Sequence, residues 1–311
     1  MLKIARDITE LIGNTPLVRL NKIAKDVPAE IIAKLEFFNP VSSIKDRLGI
    51  GLIRDAEERG VLKKNSVIIE ATFGNAGLGL GLACCVKGFR LIIVMPEQKS
   101  DDRIKLLKSF GAEIVITPRE EGMAGSIRKA ELLARETPNS FLAEQFKNPA
   151  NAKVHRETTA REIWNDTDGQ VDVVVCGIGT GGTITGIAEE LKPKKEGLRI
   201  VGIEPATSAV LSGEPAGPHK IQGIGAGFVP EILKRELIDE IIKVKSDKAI
   251  KIARRLIREE GLLCGISSGA AVWAALEIGR RPEFKGRMIV AILPDTGERY
   301  LNTELFDNHK S

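Results

Sequence analysis

Val171-Asp172-Val173-Val174-Val175-Cys176-Gly177-Ile178-Gly179-Thr180-Gly181-Gly182-Thr183-Ile184-Thr185-Gly186 is a β-branched run that breaks into glycine and resumes as an apolar segment. The valines read as a buried strand, and the spacing predicts a helix over 184–191. A strand joined to a helix by a glycine turn opens a βαβ unit, and so commits the chain to an α/β architecture. The turn carries chemistry as well. Glycines let several backbone N–H groups converge on one anion. Thr180 and Thr183 add hydroxyl donors, and the helix dipole favours negative charge there. The Gly-Lys-Ser/Thr ending of a nucleotide P-loop is absent. Gly179, Thr180, Gly181, Gly182 and Thr183 therefore read as a phosphate cradle. A dinucleotide would also need an acidic residue for its ribose, and Glu204 is the one placed after the next strand, 200–203.

The same alternation extends in both directions. Apolar strand-like runs lie at 31–35, 67–70, 91–95 and 113–116, with helices over 46–59, 103–110 and 126–135. A polar stretch near 145–151 and a helix over 155–165 interrupt the series. It resumes with strands 171–175, 200–203 and 288–293 and helices 248–260 and 269–278. Such alternation builds parallel sheets with right-handed crossovers. The reading is two α/β lobes, 1–147 and 148–311, each a mainly parallel sheet flanked by helices, with a cleft between them. Roughly the first 35 residues are free to pack on the second lobe.

Composition excludes several classes. The chain has 311 residues, 43% of them hydrophobic, enough for a substantial core. No run reaches the roughly 18 apolar residues of a membrane span, and the N-terminus has no signal-peptide core, so a cytoplasmic location is expected. Basic residues number 46 and acidic ones 42, spread evenly, which leaves no stripe for nucleic acid. Cys84, Cys85, Cys176 and Cys264 form no C-x-x-C pair and no ligand set with the three histidines. They are expected reduced and buried, with no metal.

Asn39-Pro40-Val41-Ser42-Ser43-Ile44-Lys45-Asp46-Arg47 follows the 31–35 strand. Pro40 forbids helix just before it, and Ser42 or Ser43 can cap the helix that then begins. Lys45 falls in that helix's first turn, where the positive end of the dipole and some desolvation would lower its pKa and make it nucleophilic. Thr72-Phe73-Gly74-Asn75-Ala76-Gly77 is a second glycine turn opening a helix, suited to a carboxylate. Ser267, in Gly265-Ile266-Ser267-Ser268-Gly269-Ala270, starts a third helix. It is either a cap or a donor to a neutral ring nitrogen. A reactive lysine, a phosphate cradle, a carboxylate turn and such a serine together point to pyridoxal phosphate.

With these motifs the chain resembles the cysteine synthase (O-acetylserine sulfhydrylase) family, of the tryptophan-synthase-β-like group of pyridoxal phosphate enzymes. The resemblance runs from Ile12-Gly13-Asn14-Thr15-Pro16-Leu17-Val18-Arg19-Leu20 to Leu293-Pro294-Asp295-Thr296-Gly297-Glu298-Arg299-Tyr300. Between them lie Ser43-Ile44-Lys45-Asp46-Arg47, Gln145-Phe146, Asn148-Pro149-Ala150-Asn151, Thr158-Thr159, the cradle, and Gly217-Pro218-His219-Lys220-Ile221-Gln222-Gly223-Ile224-Gly225-Ala226-Gly227-Phe228. The resemblance implies fold type II, with the cofactor between the lobes. It implies that Lys45 carries the Schiff base and then removes the α-proton. Asn75 would meet the cofactor's 3′ oxygen, the cradle its phosphate, and Ser267 its ring nitrogen. Thr72, Phe73, Gly74, Asn75, Ala76 and Gln145 would form the substrate-carboxylate site. The implied reaction is β-replacement of O-acetylserine by sulfide through an aminoacrylate. A homodimer and a serine acetyltransferase C-terminal tail are the implied macromolecular partners.

The carboxylate turn departs from the family's usual Pro-Thr-Ser-Gly-Asn-Thr-Gly, because Phe73 replaces its serine and Ala76 its second threonine. Two hydroxyl donors are gone and a large ring has appeared. Three readings follow: a cysteine synthase, a relative using another donor such as O-phosphoserine, serine or cysteine, and a poorly catalytic cofactor-bound sensor. The glycine turns taken alone would also suit a nicotinamide dehydrogenase.

Overall fold

The computed structural model describes residues 4–72, 74–97 and 102–307. In chain order the main elements are β1 (Leu17–Arg19), β2 (Glu30–Leu35), α1 (Lys45–Glu58), β3 (Val67–Ala71), α2 (Asn75–Lys87), β4 (Arg90–Pro96), α3 (Asp102–Ser109), β5 (Glu113–Thr117), α4 (Gly122–Glu136) and β6 (Ser140–Leu142). They continue with α5 (Ala150–Val154), α6 (Ala160–Asp166), β7 (Val171–Gly177), α7 (Gly182–Leu191), β8 (Arg199–Pro205), β9 (Glu240–Val244), α8 (Ser246–Glu260), α9 (Ile266–Gly279) and β10 (Met288–Leu293).

The chain divides into two units. The first comprises Met1–Ile12 and Asn39–Val154, the second Gly13–Phe38 and His155–Ser311. The first holds a four-stranded parallel sheet in the order β5-β4-β3-β6. Both of its faces are covered, as a parallel sheet requires. Ile68 points to one side and joins Leu48 and Leu52 of α1 and Leu78 and Leu80 of α2. Val67 and Ile69 point the other way, to Ala130 of α4. The two-residue period of the strand makes this division.

The second unit holds six strands in the order β1-β2-β10-β7-β8-β9. All neighbours are parallel except β1, which runs antiparallel to β2. The last strand is central: Ile289 pairs with Ile31 on one side and Val173 on the other. Helix α9 is buried almost all round because it packs on α8 as well as on β7 and β10. The crossing is tight, since a Cβ on Gly269 would lie 2.1 Å from the Ala249 carbonyl oxygen.

The division differs from a cut at residue 147, but the packing of residues 13–38 in the second unit agrees with the freedom given to the first 35 residues. Residues 13–38 belong to the second unit because β2 spends its ladder hydrogen bonds on β10. Residues 148–154 belong to the first, where Val154 packs against Gly51 of α1. Lys34 is fully buried in β2, and its ammonium donates to the Thr15 carbonyl at 2.6 Å and to Glu162 of α6 at 2.8 Å. The Asn14-Thr15-Pro16 motif thus anchors a buried ion pair, which needs such partners to be tolerated.

Other expectations are corrected locally. Asn75, Ala76 and Gly77 lie within α2, whose N-cap is Gly74, rather than in the turn before it. Helix α4 begins at Gly122 rather than at 126. Cys84, Cys176 and Cys264 are buried thiols outside any disulfide, but Cys85 is exposed. It sits on the outer face of α2, one residue round from the core-facing Cys84. Among the described residues no helix is long and apolar enough to cross a membrane, and no cluster of His, Cys, Asp and Glu could hold a metal.

Candidate active site

Lys45 is the first residue of α1. Neither Ser42 nor Ser43 is the N-cap; that position is Ile44, which is already helical and makes no side-chain cap. The chain turns earlier than the sequence suggests, with the Ser42 N–H donating to the Asn39 carbonyl at 2.7 Å and Ser42 at φ 53°. Ser43 then acts from one place further back, its hydroxyl accepting the Lys45 N–H at 3.2 Å. The buried Asp46 carboxylate accepts the Val41 N–H at 2.6 Å and the Ser43 hydroxyl at 3.3 Å. An anion in this turn offsets the positive helix end that a lysine alone would worsen.

Glycine sets the position of Lys45. A Cβ on Gly79 of α2 would lie 2.1 Å from the Lys45 carbonyl oxygen, and one on Gly49 would lie 2.2 Å from the Gly79 carbonyl oxygen. The two helices touch backbone to backbone just where α1 begins. Gly79→Ala must push them apart. Overpacking of this kind costs about 1–3 kcal/mol, so the unfolding midpoint of a chain this long should fall by roughly 2–5 °C. Thermal unfolding of the variant checks this, and an unchanged midpoint would refute the close crossing.

The carboxylate turn lies in the same unit. Thr72 is buried at the end of β3, and its hydroxyl accepts the Gly74 N–H at 3.2 Å. Gly74 caps α2 without a side chain, which leaves the helix's first turn and its positive end to meet an anion. Asn75 is half-buried, and Ala76 is buried in the apolar cluster beneath. Phe73 lies outside the described residues. Gln145 is buried in the turn after β6. Its Nε2 donates to Glu70 Oε1 at 3.1 Å and to the Ala71 carbonyl at 3.4 Å, and its backbone N–H donates to Glu70 Oε2 at 3.4 Å. Burial pushes the Glu70 carboxyl up to about 8, although the hydrogen bonds from Gln145 pull it down.

The second unit carries the cradle and the serine. Gly181 caps α7 in the left-handed region at φ 86°, where a side chain would be strained and its Cβ would meet Leu233 at 2.9 Å. A Cβ on Gly179 would lie 2.4 Å from the Gly223 carbonyl oxygen, and one on Gly223 would lie 4.0 Å from Ser267 Oγ. Gly223 therefore sits against both the cradle and Ser267, in the first turn of α9. Thr180 and Thr183 are buried at the cradle. His155 is a site residue the sequence reading missed. It is buried, with Nε2 3.1 Å from Thr183 Oγ1 and Nδ1 2.8 Å from Thr159 Oγ1. The Thr158-Thr159 pair close behind it was the available signal. Glu204 is spent on a turn, accepting from the Leu211 N–H at 2.8 Å and from the Ser212 hydroxyl. It is not offered to a ribose.

These donors fit a pyridoxal phosphate. Close backbone approach and two threonines suit a phosphate dianion, a neutral serine suits a ring nitrogen, and a helix-start amine suits an aldehyde. Cysteine synthase A of Escherichia coli (strain K12) is 49% identical over 315 residues, covering 98% of this chain and 97% of that protein. Cysteine synthase of Staphylococcus aureus (strain Mu50 / ATCC 700699) is 46% identical, covering 96% of each. The crystal structure of cysteine synthase from Entamoeba histolytica superposes with a TM-score of 0.96 at 46% identity, over 99% of this chain and 93% of that one. The sequence profile of the pyridoxal-phosphate dependent enzyme family matches residues 8–295, and the chain belongs to that family.

Proposed function

We propose that this enzyme makes L-cysteine from O-acetyl-L-serine and sulfide by β-replacement. The observation that carries the reading is the glycine cradle packed on Gly223 beside Ser267, in a chain 49% identical along its length to a cysteine synthase. When bound, pyridoxal phosphate supplies an electron sink that acidifies the amino acid's α-carbon. Lys45 would hold the cofactor aldehyde at Nζ, and the same amine, when free, would be the base that takes the α-proton. Gly179, Thr180, Gly181, Gly182 and Thr183 hold the phosphate, with His155 fixing the Thr183 hydroxyl. Ser267 would be the partner of the ring nitrogen. A neutral partner there favours loss of acetate over amino-group transfer. Asn75 would meet the cofactor's 3′ oxygen. Thr72, Phe73, Gly74, Asn75, Ala76 and Gln145 receive the substrate carboxylate. A homodimer, a cytoplasmic location and recognition of a serine acetyltransferase C-terminal tail rest on the family resemblance alone.

Cysteine formed from sulfide with O-acetylserine, O-phosphoserine and serine tests the reading. O-acetylserine should give the highest kcat/KM, and a faster donor would overturn the choice of substrate. The departures at Phe73 and Ala76 add a second expectation. A hydrogen bond to a carboxylate contributes about 1.5–3 kcal/mol. Phe73→Ser with Ala76→Thr should therefore raise kcat/KM for O-acetylserine by about tenfold or more. A flat result would mean that the turn is fitted to a different donor.

A further inference from the structure

Glu70 is a buried acid with no part in the chemistry above. It lies on β3, 2% exposed, on the same face of the strand as Ile68. The strand runs straight on into the carboxylate turn, and the carboxyl group holds Gln145 by both backbone and side chain. The preceding residue, Glu144, is left-handed at φ 50°, a conformation that costs free energy for a non-glycine residue. That turn aims the Gln145 N–H at Glu70. From the other side the Asn151 amide donates to the Gln145 carbonyl at 2.8 Å, so the backbone of Gln145 is fixed.

The amide itself is turned the wrong way for its proposed task. Its N–H2 is spent on Glu70 and on the Ala71 carbonyl. Its carbonyl oxygen makes no hydrogen bond among the described residues. A substrate carboxylate needs donors and is repelled by a carbonyl oxygen.

We propose that Glu70 is a positioning residue that decides which end of the Gln145 amide meets the substrate. Holding a proton, Glu70 donates it to the Gln145 carbonyl oxygen, and the amide turns its N–H2 to the incoming carboxylate. Without that proton, Glu70 keeps the N–H2 for itself. No bond other than hydrogen bonds changes, and the amide rotates about its last side-chain torsion, which has two broad wells. Burial pushes the carboxyl up to about 8, which favours the protonated, productive form at neutral pH. The inference rests on the reading that Gln145 binds the substrate carboxylate.

The test is steady-state kinetics with O-acetylserine and sulfide on Glu70→Gln, Glu70→Leu, Gln145→Ala and Glu70→Leu with Gln145→Ala. Glutamine at 70 copies the protonated acid, because its N–H2 donates to the Gln145 oxygen, so Glu70→Gln should keep KM within about twofold. Leucine cannot donate. Glu70→Leu should raise KM for O-acetylserine about tenfold while kcat stays within about twofold, and should add less than about twofold once Gln145 is alanine. A merely structural role would let Glu70→Leu act equally in both backgrounds, and that result overturns the proposal. So would equal losses in Glu70→Gln and Glu70→Leu. If Gln145→Ala raises KM and Glu70→Leu does not, this inference alone fails. If Gln145→Ala keeps the parent KM, the carboxylate reading fails and takes the inference with it.

Discussion

Lys45→Ala is expected to lose at least about a thousandfold in kcat for cysteine formation, because in the proposed mechanism one side chain supplies both the aldehyde anchor and the base. The fold should survive. The contact that places α1 is the Lys45 carbonyl against Gly79, which alanine keeps. Removing a cation from the first turn of a helix also relieves an unfavourable interaction with the dipole. The unfolding midpoint should therefore stay within a few degrees of the parent while the rate collapses. A small amine added to the buffer should restore part of the activity if only the base is missing. A variant that keeps a tenth of the parent rate would remove Lys45 from the mechanism.

Gly179→Val is expected to weaken cofactor binding about 10- to 100-fold, as the 1–3 kcal/mol of overpacking falls on the cradle itself. The new Cβ would stand 2.4 Å from the Gly223 carbonyl oxygen, so the backbone there has to move. Gly223 lies beside Ser267, so the disturbance reaches Ser267, the proposed partner of the ring nitrogen, as well as the cradle. Titration of the cofactor-free protein with pyridoxal phosphate, followed by absorbance, measures the effect. Unchanged affinity would place the phosphate elsewhere.

What was legible in the sequence was what local pattern controls. The valine run 171–175, the glycine turn after it and the apolar helix are all local, and β7, the cradle and α7 stand where those residues put them. Lys45 was readable because Pro40 and the serines mark a helix start within a few residues. The exact cap was not. It depends on Ser42 adopting a left-handed φ, for which a serine gives no signal. Long-range pairing was illegible too. Nothing local tells that β2 is completed by β10, which lies more than 250 residues later in the chain. The three-residue β6 and the half-exposed β9 lack enough period to stand out. His155 and Glu70 read as ordinary members of a helix and a strand. Their proposed roles depend on contacts with Thr183, 28 residues away, and Gln145, 75 residues away.

The most direct measurement reduces the cofactor-loaded protein with borohydride, digests it, and locates the pyridoxyl group by peptide mass spectrometry. The account predicts the group on Lys45, in the peptide that opens α1. Its appearance on any other lysine, or no retained pyridoxyl group at all, would contradict it.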